Sequence, residues 1–205
     1  MDRKAYFMLA LALFLTEAAY AADPCGSLET AFGPFDYRTA SAHKKRIVET
    51  FHFTDSVENL VRGNTTKWVA GDISYVLRAF PNHIRALAAI TELGRREHSD
   101  QPHGSQYTIT CWFERAIRFQ PDDGQVRLLF GIHLMNRGHA DQAIEQLLIA
   151  DRMLPNDRNV NYNLGLAYFD LKDYEKSRER AKKAYSLGFP LPGLREMLTR
   201  ADQWN

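Results

Sequence analysis

Three prolines set the frame of this chain. Each closes a variant of one short motif: Arg78-Ala79-Phe80-Pro81-Asn82, Arg118-Phe119-Gln120-Pro121-Asp122 and Arg152-Met153-Leu154-Pro155-Asn156. Pro121 and Pro155 stand 34 residues apart, and a further 34 lands on Phe189, beside Pro190. Pro81 precedes Pro121 by 40 residues, the same period with six added. Proline stops a helix because it lacks the backbone donor and clashes with the preceding turn. A recurrence of this length marks stacked units, each leaving one face for the next unit to bury.

The positions between the prolines agree with one another. In the stretch 124–157, Phe130-Gly131 is followed by Leu134, Gly138, Ala143, Leu147, Ala150 and Pro155. In the stretch 158–191, Leu164-Gly165 is followed by Tyr168, Tyr174, Ser177, Ala181 and Ala184. Small residues let two helices come into contact, and the large ones fill the grooves between them. With these residues in these places, the chain resembles the tetratricopeptide repeat family. The resemblance implies an all-α solenoid of helix-turn-helix repeats over 71–205. It reads as a degenerate half repeat at 71–83, repeats at 84–123, 124–157 and 158–191, and a capping helix at 192–204. Turns are expected near Gly138 and Lys172.

The first repeat departs from the pattern. Ile90-Thr91 stands where Leu-Gly is usual, and Ile109 where Ala is usual. The six extra residues fall in the loop from His98 to Gly104. Residues 23–70 are not explained by the repeat. Helices are expected over 41–50 and 55–62, the second capped by Thr54 or Asp55. Phe32, Phe35, Tyr37, Phe51 and Phe53 make this block rich in aromatic side chains, suited to covering the open end of a solenoid. Gly33-Pro34-Phe35-Asp36-Tyr37-Arg38, with His52-Phe53-Thr54 and the segment 78–83, resembles the combination in exported bacterial repeat proteins.

The first 22 residues have the layout of a secretory signal. Arg3 and Lys4 precede an apolar run from Ala5 to Leu15, and Ala19-Tyr20-Ala21 offers small residues at the two positions a signal peptidase reads. The apolar run is too short to span a bilayer, which needs roughly 20 residues. The expected location is therefore an exported compartment, the periplasm, with no membrane insertion after cleavage. There Cys25 and Cys111, the only two cysteines, have one possible pairing. Cys111 lies between Ile109 and Phe113, both packing positions, so it should face the convex side. A bond would pin the N-terminal segment along the first repeat. The alternative is two unpaired thiols, with Cys111 beside Trp112.

No catalytic motif is present: there is no Gly-x-Ser-x-Gly, no phosphate loop, no His-Glu-x-x-His and no Cys-x-x-Cys. The expectation is no enzyme, no cofactor and no metal. The candidate metal residues are His98, Asp100 and His103 in the 98–104 loop, and a zinc site needs three or four ligands in tetrahedral reach. The formal net charge of +1 gives no electrostatic reason to expect nucleic acid.

The remaining surface for binding is the groove lined by the first helix of each repeat. Carried over from the family, its positions are Arg85, Ala88, Glu92, Arg95 and Arg96 in the first repeat. In the second they are Gln125, Leu128, Ile132 and Met135, and in the third Asn159, Tyr162, Leu166 and Phe169. The clamp positions that elsewhere hold Lys and Asn for a terminal carboxylate hold Leu128, Ile132, Tyr162 and Leu166 here, so that specificity is not implied. The expected partner is a peptide or helix of another protein. The alternatives are a groove filled by the chain itself, in a structural subunit of a larger envelope assembly, and a metal-binding or enzymatic protein built on the 98–104 loop.

Overall fold

A computed structural model describes residues 24–205. The signal segment expected at 1–22 lies outside the described residues. The described chain is all helix and connection, without a strand. Ten helices follow one another: α1 (Ala42–His52), α2 (Asp55–Glu58), α3 (Val69–Ala79), α4 (Ile84–Glu97), α5 (Ile109–Phe119), α6 (Gly124–Asn136), α7 (Ala140–Met153), α8 (Arg158–Asp170), α9 (Tyr174–Ser186) and α10 (Gly193–Arg200). Helices α4 to α9 form three pairs, with α3 before them and α10 after them. This is a tetratricopeptide-like α-solenoid. None of the described helices is long and apolar enough to cross a membrane.

The proline motif does two jobs. It stops the second helix, and two residues later it supplies the cap of the next first helix. His83, Asp123 and Asp157 hold that position in α4, α6 and α8. Each accepts hydrogen bonds from backbone N–H groups of the first turn: Ala86, Gln125 and Val126, and Asn159 and Val160 respectively. These are donors a helix start otherwise leaves unpaired. The turns within repeats lie where the spacing put them. Gly138 and Lys172, one period apart, both have positive φ, 78° and 62°.

Close packing follows the small residues. A methyl group at Gly131 would meet Leu147, and one at Gly165 would meet Leu194 of α10. Ala143, Ala150, Ala181 and Ala184 are fully buried. The irregular first repeat is repaired by an exchange of large for small: Ile109 fills the place of the usual alanine, and it packs on Gly94 of α4. Helix α4 then ends at His98 in the left-handed region, with the Ser99 N–H returning to the Gly94 carbonyl.

The N-terminal block covers the open end. Phe32, Phe35, Tyr37 and Phe53 pack into the core around Phe80 and His83, whereas Phe51 is 58% exposed. The helix expected over 55–62 stops at Glu58, because the chain reverses at Leu60 with φ of 61°. Asp72, buried in the first turn of α3, gathers the loop that precedes this helix. It accepts from the backbone N–H groups of Asn64, Thr65 and Thr66 and from His52 Nδ1. Burial works to raise its carboxyl, but these donors outweigh it and hold it below the usual range.

Cys25 and Cys111 are joined, with Cα atoms 5.1 Å apart. Arg115, one turn further along α5, binds the same segment. Its Nη1 donates to the carbonyls of Cys25, Gly26 and Ser27 at 2.7, 3.2 and 2.7 Å.

Candidate functional site

The first helices α4, α6 and α8 lie side by side, as a solenoid requires, and the residues expected to line a groove fall on them with unequal results. On α4, Glu92 and Arg95 border a cleft of about 330 Å³ between the C-terminal ends of α4 and α6. Its apolar part is formed by Ala88, Gly94, Ile109 and Leu129, and its polar part by Thr91, His98, His133 and Arg137 among others. Arg85 lies further back, in a shallower recess, ion-paired to Glu58 of α2 at 2.9 Å.

The charges on the cleft are paired with one another. Glu92 takes hydrogen bonds from Arg95 at 2.7 Å and from Arg96 at 2.9 Å, which hold its carboxyl down to about 2. Arg137 pairs with Asp100 across the rim. His133 is buried on the rings of Phe113 and Phe130. Burial pushes its imidazole down to about 4, helped by the Arg137 charge. A neutral imidazole wall is thus flanked by paired ions, an arrangement suited to hydrogen bonds with a polar backbone.

On α6 and α8 the outcome differs. Gln125 and Asn159 are exposed. Leu128 is 6% exposed and belongs to the core with Leu147, Val160 and Leu164. Ile132 is partly buried against the same core. Tyr162 stacks on Phe189, and its hydroxyl accepts from the Leu194 N–H. Leu166 and Phe169 pack with Tyr162 against Leu194 and Leu198 of α10. The chain itself therefore fills the C-terminal part of the expected groove. Leu128 is withdrawn for a related reason: the neighbouring helices α7 and α8 close over it.

The 98–104 loop does not assemble a ligand set. Asp100 is engaged by Arg137, the His103 ring lies edge-on to Trp68, and His98 faces the cleft. Among the described residues, the one group of three metal-ligating side chains is Cys25, Cys111 and Glu114, and its two sulfurs are bonded to each other.

Leu129, His133 and Arg137 were not read from the sequence as groove residues, and Thr91 was noted only as a departure from the repeat. His133 and Arg137 carried a readable signal, being four apart at the end of a first helix and so on one face.

No protein-family model matches the chain, and no curated protein matches it. Among solved structures it is similar to a chain described as MamA MSR-1 C2, with 16% identity and a TM-score of 0.48 over 75% of this chain and 80% of that one.

Proposed function

We propose that this chain is a non-enzymatic scaffold of an exported compartment, which holds a short peptide segment of a partner protein in the cleft between α4 and α6. The observation that carries this reading is the cleft itself. Two adjacent first helices of a solenoid leave an apolar floor of Ala88, Ile109 and Leu129 unfilled by the other described segments, with donors and acceptors along its edge. An apolar strip of this width with polar margins fits a peptide whose side chains enter the floor while its backbone meets the rim. The disulfide supports an oxidising compartment.

The test is selection from a random peptide library on the immobilised chain. Peptides enriched on the wild type should lose binding to Ala88→Arg, which places a long cation in the cleft. Undiminished binding to that variant would sink the reading.

A second reading, a structural subunit of a larger assembly, is favoured by Ile47 and Phe51. They lie one turn apart on the outer side of α1 and are 40% and 58% exposed. Under that reading, Ile47→Ser with Phe51→Ser disrupts assembly and leaves peptide binding intact.

A further inference from the structure

A second cavity, of about 250 Å³, lies where residues 27–32 cross α3 and α5. Two arginines line it, Arg78 from α3 and Arg115 from α5, together with Tyr75, Gln106, Tyr107 and Glu29. Arg115 is 1% exposed, yet its three acceptors are neutral carbonyls. Neither arginine is ion-paired to a carboxylate among the described residues. The Nε of each is buried without a hydrogen-bond partner. Glu29 is exposed and makes no ion pair with either arginine.

Pinning the N-terminal segment accounts for Nη1 of Arg115 and nothing more. It does not account for Arg78, which makes no hydrogen bond to that segment; its guanidinium lies over the Tyr75 ring, 5.6 Å from the centroid. Two guanidiniums brought to one cavity with idle donors repel each other. Burial pushes Arg115 down from its usual range; Tyr107 opposes this, and the Arg78 charge adds to it. A buried positive charge without a counter-charge is costly, and an anion between the two would relieve it.

We propose that the cavity between Arg78 and Arg115 is a binding site for a small monocarboxylate. Two cations and one acid in the lining leave an excess of one positive charge, matched by a monoanion. The Nε–H of arginine, with the neighbouring Nη2, forms a planar fork that fits the two oxygens of a carboxylate. Tyr75 and Tyr107 supply flat walls, and the volume of about 250 Å³ admits the acid group with a small ring or chain. The cavity is formed by second helices and the N-terminal segment, so it is separate from the cleft between α4 and α6.

The test is a titration of the full folded chain, labelled with nitrogen-15, in which the arginine Nε–H signals are followed by NMR. The probes are acetate, benzoate and inorganic phosphate at constant ionic strength. Acetate or benzoate should shift the Arg78 and Arg115 signals saturably, while those of Arg85 and Arg95 stay in place. Arg78→Gln, checked for unchanged helicity, should weaken the affinity at least tenfold. Arg78→Lys, which keeps the charge and loses the fork, should weaken it too and serves if the glutamine variant does not fold. No saturable shift, a response to phosphate alone, or full affinity in a folded Arg78 variant overturns the proposal.

Discussion

Tyr162 and Phe189 lie ring on ring, their centroids 3.8 Å apart and their planes within 15° of each other. Tyr162 is thereby a packing residue that joins α8 to the turn before α10. Tyr162→Ala should cost roughly 2–4 kcal/mol, as large-to-small core changes do, and leave selected peptides bound. Ala88→Arg should do the reverse. Calorimetric melting and peptide affinity, measured on both variants, separate the two roles; loss of binding in a folded Tyr162→Ala would return the site to α8.

Gly33 is predicted to be a poorly replaceable glycine of the N-terminal block. Its φ is 110°, and an added methyl would lie 2.6 Å from the Ala79 carbonyl oxygen, which already accepts from the Phe35 N–H. Backbone cannot step aside as a side chain can. Gly33→Ala should therefore cost about 2 kcal/mol or more. Gly165→Ala meets a terminal methyl of Leu194 and should cost less. Denaturant unfolding of both variants gives the order.

Lys172 stands in the left-handed region where the preceding repeat has Gly138. The strain on a residue with a Cβ is roughly 1–2 kcal/mol, and glycine's extra chain entropy offsets about half of it. Lys172→Gly is expected to stabilise the chain by up to about 1 kcal/mol. A lower melting temperature in this variant would contradict the assigned turn.

Reduction of the Cys25–Cys111 bond should lower stability by roughly 4–5 kcal/mol, the chain-entropy value for a loop of this size, less whatever Arg115 retains through its three carbonyls. The protein, alkylated without reduction, should carry no added mass at either cysteine.

Acid should weaken the fold well before its carboxylates are protonated. His83 and His133 are both pushed down to about 4, chiefly by burial, although Glu49 works the other way on His83. An unfolded imidazole titrates near 6.5. The unfolded chain therefore binds more protons in between. Their stabilising contribution is complete above about pH 6.5 and is lost as pH falls through 4, on the order of 2–3 kcal/mol for each group. Melting temperature should drop across that window, and His133→Phe should make the drop shallower. An unchanged slope in the variant would remove His133 from this account.

The helical frame was legible because its signals are local. Pro121 and Pro155 with their caps at Asp123 and Asp157 need no distant partner, and Gly131 and Gly165 recur at the same 34-residue period as the prolines. What was not legible depends on closure. Leu128 and Ile132 are read alike along α6, yet Leu128 is sealed by the neighbouring helices and Ile132 less so. Phe189 sat at a motif position, but its return onto Tyr162 depends on the path after Gly188. Arg115 and its acceptors are about 90 residues apart, beyond any periodic pattern.

The disulfide turns residues 25–111 into a closed ring, with 112–205 as a tail attached at one point. Held at Cys25 and at Asn205 and stretched, the molecule transmits force through Cys25 directly into Cys111, and α1 to α4 lie off the line of pull. Only the tail can pay out, by roughly 300 Å when fully drawn. A single-molecule extension trace should show that length with the bond closed, and close to twice as much once it is reduced. For the same reason, a single protease cut in the connection between α4 and α5 leaves both pieces tied together until a reductant is added.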